Sequence, residues 1–272
     1  MSEVINYYTS FGEREWSRLE REPLEFLVNW HYIRKYLPPE GLVMDNGAGP
    51  GRYAMELAVL GYRVTLTDLT PGLVQLAERK ADELKLSRSF DGFHVANATN
   101  LSFISNHTYD ASLMLGPLYH LQQVEEREAA MAELNRVTKP GGVVFIAIRS
   151  RLNHMLTSLL HPESWKPNNQ VDAIERFMET GLFNHADEGR YTGAYFYNVE
   201  DIRPFMESHG FDTLELIGST NAGAVLREDQ WAHWRAKGEE EYAKLVQMLI
   251  RTASEPSLLG MSSHLLYIGR KR

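Results

Sequence analysis

Short apolar runs alternate with segments of helical periodicity along the first half of the chain. The apolar runs predict strands at 42–45, 63–68, 93–96, 109–115 and 143–148. The segments between them place apolar residues on one side of a helix, at 52–60, 72–86 and 125–137. Strands that alternate with helices indicate an α/β fold, in which a mostly parallel sheet carries helices on both faces.

The pattern divides the chain into four parts. Residues 1–40 predict a helical N-terminal lid, and 41–149 hold the regular strand–helix alternation, with a turn expected at 139–142. Residues 150–197 contain many His, Asn, Trp and Tyr residues without strand runs, so they predict a helical insertion. The final part, 198–272, predicts two further strands of the same sheet and a charged helical insertion at 227–256.

The sequence VMDNGAGPGRYAMELA places Gly47, Gly49 and Gly51 between the first strand and the first helix of this alternation. Glycine lets the backbone approach a ligand closely, and a helix N-terminus offers free N–H groups. A dinucleotide fingerprint needs a third glycine where this chain has Arg52, which disfavours an NAD-dependent oxidoreductase. The loop therefore predicts a site for a nucleotide-like ligand at the carboxyl end of the first strand.

The whole segment VMDNGAGPGRY resembles motif I of the class I S-adenosylmethionine-dependent methyltransferases. VTLTDLTPGLVQLA, VANATNLSF, YDASLMLGPLYHL and RVTKPGGVVFIA resemble the later motifs of that family, in the family's order. FMESHGFDTLELIG and HLLYIGRK resemble its last two strands. The resemblance implies a doubly wound, mostly parallel, seven-stranded Rossmann-like sheet with helical additions, and S-adenosylmethionine as cofactor. The GPLYHL variant and the helical additions are most similar to small-molecule enzymes related to ubiquinone and menaquinone biosynthesis.

The resemblance also implies a set of cofactor-binding residues at strand ends and in the lid: Asp45, Gly47, Ala48, Gly49, Arg52, Asp68, Leu69, Asn97, Ala98, Leu115, Gly116 and Tyr8. Asp68 would accept hydrogen bonds from the ribose hydroxyls, and Asn97 one from the adenine amine. Simpler structural roles stay open: Asp45 orienting the loop from behind, Asp68 capping a helix, and Asn97 forming a turn.

Methyl transfer from a sulfonium is an in-line displacement, so the protein mainly aligns the reacting atoms. A base is needed only where the acceptor must lose a proton. His120, next to Tyr119 after the fourth strand, is the candidate base, and a packing histidine is the alternative. No His pair at metal-binding spacing occurs, and the segment after the fourth strand carries no acid, so no metal is expected.

The insertion is expected to form the acceptor pocket, since aromatic and imidazole side chains concentrate there: His154, Trp165, Tyr191, Tyr195 and Tyr197. His264, before the last strand, is a further candidate for that pocket. Aromatic walls suit a small, partly apolar acceptor.

Charge and composition limit the classes of binding partner that the chain can have. The formal net charge is −8 and the only basic cluster is at 270–272, which disfavours nucleic acid. The chain has no cysteine, which excludes disulfides and thiolate chemistry. No signal core is evident and no apolar run could span a bilayer, so a cytoplasmic monomer or homodimer without membrane contact is expected. An RNA or protein methyltransferase and a non-catalytic cofactor-binding protein remain the alternatives.

Overall fold

The computed structural model describes residues 2–9, 12–17, 23–187 and 193–272. Its helices are α1 (Ser2–Thr9), α2 (Glu13–Trp16), α3 (Pro23–Tyr36), α4 (Arg52–Val59), α5 (Pro71–Glu83), α6 (Pro117–His120), α7 (Val124–Val137), α8 (Arg151–Leu160), α9 (Val171–Thr180), α10 (Val199–Ser208), α11 (Glu228–Ala236), α12 (Glu239–Arg251) and α13 (Pro256–Leu259). Its strands are β1 (Leu42–Asn46), β2 (Arg63–Asp68), β3 (Phe90–Val95), β4 (Tyr109–Met114), β5 (Thr138–Arg149), β6 (Leu182–Phe183), β7 (Ala194–Tyr195), β8 (Phe211–Gly218) and β9 (His264–Lys271).

The central sheet has seven strands in the order β3-β2-β1-β4-β5-β9-β8. Strands β1 to β5 pair in parallel, while β9 runs antiparallel to both β5 and β8. The order reverses direction at β1, so the carboxyl ends of β1 and β4 open a crevice between them. The predicted fold class, a doubly wound and mostly parallel sheet, is confirmed.

Helices bury both faces of the sheet. On β1, Val43 packs in the cluster that contains Leu57 of α4, whereas the next residue, Met44, packs in the cluster that contains Leu134 of α7 and Ile202 of α10. Val43 and Met44 are both fully buried. Burial on both faces explains why the parallel strands are continuous apolar runs rather than alternating ones.

The structure differs from the sequence prediction at residues 139–142. The expected turn is instead part of β5, which pairs Thr138 with Tyr109 and Val143 with Ala111 across a bulge in the register. Nζ of Lys139 lies 2.7 Å from Oδ1 of Asp110 on β4. Residues 139–142 have no register partner on β4, and Gly141 has φ of 77°, so the Pro-Gly-Gly segment forms a bulge within β5.

The insertion at 150–197 contains α8 and α9, as its composition predicts, and also the short antiparallel pair of β6 and β7, which was not predicted. Phe177, Phe183, Ala194 and Phe196 form a small apolar cluster of their own there. Within the part of the chain that the structure describes, none of the helices combines the length and the apolar character needed to cross a lipid bilayer.

Candidate active site

A cleft opens at the carboxyl ends of β1, β2 and β4, with the N-terminal arm above it. Every residue that the sequence analysis assigned to the cofactor or to catalysis lines this cleft. The fold thus brings together side chains from four strand ends and from α1. The individual roles remain predictions, and the contacts below show what each residue does in the folded chain.

The three glycines after β1 serve different purposes. Gly47, Gly49 and Gly51 have φ angles of 71°, 57° and 85°, a region that residues with a Cβ rarely adopt. A Cβ on Gly47 would lie 2.2 Å from Cγ of Pro117, and one on Gly51 would lie 2.7 Å from Cδ1 of Leu66. A Cβ on Gly49 would have no heavy atom nearer than 4.0 Å. Gly47 and Gly51 therefore pack the loop, and Gly49 faces the open cleft.

Asp68, at the end of β2, holds the glycine loop in place. Its Oδ2 accepts a hydrogen bond of 2.8 Å from the N–H of Gly49, and its Oδ1 accepts one of 2.8 Å from the N–H of Thr70. Burial raises the pKa of Asp68, although both N–H groups act in the opposite direction. The N-cap of α5 is Thr70, so Asp68 positions the residue before the helix without capping it. Each carboxylate oxygen has a second lone pair that can accept a bond from a ligand.

Asp45 is 2% exposed on the cleft floor. Burial is the main cause that raises its pKa to about 7, and the negative charge of Asp68 raises it further, while a backbone hydrogen bond from Ala54 lowers it. Asp45 thus supports the start of α4 from behind the loop, and it also borders the cleft. Contact with the cofactor remains a prediction. A cation in the cleft would stabilise both carboxylates.

Asn97 and Ala98 form the wall after β3. Oδ1 of Asn97 accepts a hydrogen bond of 3.1 Å from the N–H of Thr99, and its carbonyl accepts one of 2.9 Å from the N–H of Asn100. Asn97 is therefore a turn residue in the folded chain, as the alternative interpretation held. The adenine role of Asn97 stays a prediction.

Leu115 and Gly116 lead from β4 into α6, which carries Tyr119 and His120. The Tyr119 hydroxyl lies 3.4 Å from the carbonyl oxygen of Leu115, its acceptor. The His120 Nε2 lies 3.0 Å from the hydroxyl of Tyr8. Burial, followed by the charge of Arg149, lowers the pKa of His120 to about 3. His120 is therefore neutral at physiological pH, with one donor and one acceptor nitrogen.

Arg52 connects the cleft to α2 of the N-terminal arm. Its guanidinium lies 5.2 Å from the ring centroid of Trp16, and Nζ of Lys80 lies 5.4 Å from the same ring. Lys80 also pairs with Glu13 at 3.4 Å. These contacts anchor α2 beside the cleft, where Glu15 joins the lining.

Asn46 is a cleft residue that sequence reasoning missed. It is 1% exposed, its Oδ1 accepts a hydrogen bond of 2.9 Å from the Thr67 hydroxyl, and its Nδ2 has no hydrogen-bond partner among the described residues. The available signal was a polar side chain between Asp45 and Gly47, at the end of a buried strand. An unpaired buried amide donor fits a ligand that brings an acceptor oxygen. Pro117, Tyr53 and Leu73 were also missed, because apolar residues at such positions look like ordinary core.

A second cavity of about 210 Å³ lies under the insertion. Trp165 lines it together with Phe183, Phe196 and Arg149. His154 does not: it is 3% exposed, and its ring centroid lies 4.4 Å from those of both Phe183 and Phe196.

The other aromatic residues expected in an acceptor pocket lie elsewhere. Tyr195 packs under the guanidinium of Arg127, 3.7 Å from its ring centroid, and Tyr197 is buried in the core. Tyr191 lies outside the described residues. Nδ1 of His264 is 3.3 Å from Glu25, and its ring centroid is 5.6 Å from that of Tyr119. The described residues contain no group of three or more His, Asp or Glu placed to hold a metal ion.

Comparison with known proteins identifies the domain. Residues 43–142 match the family described as "Methyltransferase domain". A demethylmenaquinone methyltransferase of Paenarthrobacter aurescens is 30% identical over 53% of this chain and 49% of its own length. A tRNA (carboxymethyluridine(34)-5-O)-methyltransferase of Arabidopsis thaliana is 30% identical over 61% of this chain and 37% of its own. The chain thus spans about half or less of the length of these curated relatives.

A solved structure shares the fold over most of the chain. The crystal structure of a SAM-dependent methyltransferase from Methanosarcina mazei aligns with a TM-score of 0.59 at 20% identity, over 88% of this chain and 96% of that one. The family match coincides with the part of the chain that forms the glycine loop, the Asp68 strand end and the Leu115–Gly116 wall. Residues 43–142 therefore form a methyltransferase domain, and the chain has the fold of S-adenosylmethionine-dependent methyltransferases of known structure.

Proposed function

We propose that this protein transfers the methyl group of S-adenosylmethionine to a small-molecule acceptor. The observation that carries the proposal is the cavity of about 210 Å³ with aromatic walls beside the cofactor cleft. The two spaces adjoin, since Tyr8 lines the cleft and Tyr7 lines the cavity, with ring centroids 5.2 Å apart. A concave, mostly apolar cavity of this volume suits a small molecule better than a folded macromolecule.

The cleft residues fit the cofactor by their donors and acceptors. Asn46 supplies an unpaired amide donor, and Asp45 and Asp68 supply buried negative charge that a sulfonium and an ammonium would neutralise. Gly49 leaves open space where a side chain would intrude. When bound, the cofactor supplies an activated methyl group. In this proposal the methionine part lies by Asp45, Gly47 and Arg52, and the adenosine by Asp68, Leu69 and Ala98.

The contribution of the protein to the reaction is alignment and exclusion of water. Tyr8 closes over the cleft from α1 and meets His120, which lines the cleft. The lowered pKa of His120 makes it a weak base, and the contact with Tyr8 fixes the position of its ring. We therefore assign His120 an orienting role and Tyr119 a role in the wall.

Macromolecular acceptors fit the chain less well. One relative acts on tRNA, according to its name, yet this chain has a net charge of −8 and its basic cluster is at the C-terminal end of β9. RNA binding relies on a basic surface that offsets the phosphates. Another relative is named for demethylmenaquinone, a small molecule. A cytoplasmic location and a monomeric or homodimeric state remain predictions.

A labelling experiment distinguishes the acceptor classes. Purified protein is incubated with S-adenosylmethionine labelled on the methyl group, together with a small-metabolite extract, total RNA or denatured protein in separate reactions. The proposal expects label in a small molecule that extracts away from polymer. Label in RNA or protein would contradict it, and cofactor binding without transfer in any reaction would favour the non-catalytic alternative. Gly49→Val, expected to lose the cofactor, serves as the inactive control.

A further inference from the structure

Arg149 is a cation without an anionic partner at the wall of the second cavity. It ends β5, just before the insertion, and its Nε is shielded from solvent without a hydrogen bond to any described residue. Among the residues that the structure describes, no carboxylate lies within 4.0 Å of its guanidinium. Arg149 is half-buried and lines the cavity, so its guanidinium borders the cavity space without an anionic partner from the described residues. A partly desolvated cation in this position favours a bound anion from outside the chain.

The polar neighbours of Arg149 leave its charge uncompensated. His120 and His154 both have pKa values lowered to about 3, so neither carries charge at neutral pH. His185, also in the cavity wall, accepts the N–H of Asp187 at Nδ1 and has Nε2 3.1 Å from the carbonyl of Ser164. Arg149 is the only arginine or lysine among the described residues that line this cavity.

The remaining walls of the cavity are aromatic. Trp165, Phe183, Phe196 and Tyr7 line it, and the guanidinium of Arg149 lies 4.9 Å from the ring centroid of Phe196. The volume of about 210 Å³ exceeds the ~150 Å³ at which an apolar cavity takes up benzene. A flat ring with one anionic substituent matches both the walls and the charge.

Arg149 also reaches towards the cofactor cleft. Its guanidinium lies 5.9 Å from the ring centroid of Tyr119, which lines the cleft. A molecule held by Arg149 against Phe196 would therefore lie beside the cleft wall formed by Tyr119 and His120. In the proposed function, the acceptor lies on this side of the cleft.

We propose that the methyl acceptor is a planar aromatic carboxylic acid whose carboxylate is bound by Arg149. This inference rests on the proposed function and adds the chemical class of the acceptor to it. The planar guanidinium donates two parallel hydrogen bonds to a carboxylate, a geometry that neither a lysine nor a neutral amide reproduces. The aromatic walls stack on the ring and leave one ring substituent to face the cleft.

Matched pairs of acids and amides test the proposal. Calorimetry measures the binding of benzoate, 4-hydroxybenzoate and indole-3-carboxylate, each beside its primary amide, to the protein saturated with S-adenosylhomocysteine. The wild type is expected to bind each acid roughly tenfold or more tightly than its amide, the range of a charge-assisted hydrogen bond. In Arg149→Met the ratio is expected to fall to about one. Arg149→Lys, which keeps the charge but not the planar fork, is expected to fall between them.

The controls separate this inference from the proposed function. Arg203→Met removes an exposed positive charge from α10 and is expected to keep the wild-type preference for acids. Binding of S-adenosylhomocysteine to each variant reports both folding and the cofactor site. If the wild type does not bind S-adenosylhomocysteine, the proposed function is contradicted. Normal cofactor binding with equal affinity for acids and amides, with preference for neutral phenols, or with no binding of any acid would overturn the assignment of Arg149 alone.

Discussion

The hydroxyl of Tyr8 lies 3.0 Å from Nε2 of His120, although 112 residues separate them along the chain. Their rings also meet edge to face, with centroids 5.7 Å apart. Tyr8 belongs to α1 and His120 to α6, so this contact closes the N-terminal arm over the cleft wall. His120 is neutral at physiological pH, since its pKa is lowered to about 3. A single hydrogen bond of this kind contributes modestly to the closure of the N-terminal arm.

Removing the Tyr8 hydroxyl is expected to loosen this closure. Tyr8→Phe keeps the ring but loses the bond to His120, and a net hydrogen bond is worth about 0.5–1.5 kcal/mol. We therefore expect S-adenosylhomocysteine to dissociate roughly 2- to 10-fold faster in stopped-flow measurements. Tyr36→Phe is the matched control, because its hydroxyl bonds Glu215 on β8, at 2.6 Å. Equal dissociation rates for Tyr8→Phe and the wild type would show that the arm does not retain the cofactor.

Asp68 is expected to contribute to cofactor affinity both directly and through the loop. Asp68→Ala leaves the N–H groups of Gly49 and Thr70 without their acceptor and removes the predicted ribose contact. The affinity for S-adenosylmethionine is expected to fall by about 1–3 kcal/mol, the range for unpaired buried hydrogen-bonding groups. Asp68→Asn keeps the shape and one acceptor oxygen, so its loss should be smaller. Calorimetry that finds unchanged affinity in Asp68→Ala would remove Asp68 from the site.

Gly49 is expected to be required for binding rather than for folding. A side chain there enters the open cleft, whereas a Cβ on Gly47 would strike Pro117 and disturb the loop itself. Gly49→Val should abolish cofactor binding and leave the circular dichroism spectrum intact. Gly61→Val is the matched control, since Gly61 has φ of 93° and open surroundings but lies in a turn far from the cleft. Cofactor affinity retained by Gly49→Val would contradict the placement of the loop.

The sequence predicted those features that depend on neighbouring residues. Apolar runs placed β1, β2 and β4 nearly to the residue, because strands buried on both faces are continuously apolar. The glycines between Asp45 and Arg52 predicted the cleft, because they follow one another closely in the sequence between a strand and a helix. Residues 139–142, where a turn was expected, lie within β5 at a bulge between Thr138 and Val143, and Gly141 has φ of 77°. The local preference of proline and glycine thus appears as a bulge, whose place in β5 depends on the register against β4.

Contacts between distant segments gave no local signal. Nothing near Tyr8 in the sequence indicates that it meets His120, and nothing near Asp68 indicates that it bonds the N–H of Gly49. Arg149 looks like the last residue of a strand, and only the folded insertion shows that it lines a cavity without an anionic partner. Long-range packing decides such contacts, so the cofactor cleft was more predictable than the cavity.

Cofactor binding is expected to release a proton from Asp45. Its pKa of about 7 means that much of it is protonated at pH 6 in the unliganded protein. A cationic ligand beside it lowers that pKa, so protons leave on binding and affinity rises as the pH increases from about 5.5 to about 7.5. Calorimetry in two buffers with different ionisation enthalpies counts the protons. Asp45→Asn should abolish the release, whereas proton uptake by the wild type would contradict the proposed charge pairing.

His154 is expected to make the fold sensitive to acid. Burial, followed by the charge of Arg149, lowers its pKa from 6.5 to about 3 in the folded chain. As the pH falls below 6.5, the unfolded chain takes up a proton that the folded chain does not. The free energy of unfolding should therefore fall by about 1.4 kcal/mol per pH unit for this residue, between its unfolded and folded pKa values.

Substituting His154 tests this acid sensitivity. Its Nε2 is buried without a hydrogen-bond partner among the described residues, and its neighbours are aromatic rings, so His154→Phe should preserve stability at pH 7. Urea unfolding at pH 7, 6 and 5 is expected to show a shallower loss of stability for His154→Phe than for the wild type. Carboxylates titrate alike in both proteins, so the difference in slope belongs to His154. His161→Gln, at an exposed position nearby, should keep the wild-type slope. Parallel slopes for His154→Phe and the wild type would show that His154 is protonated without cost in the folded chain.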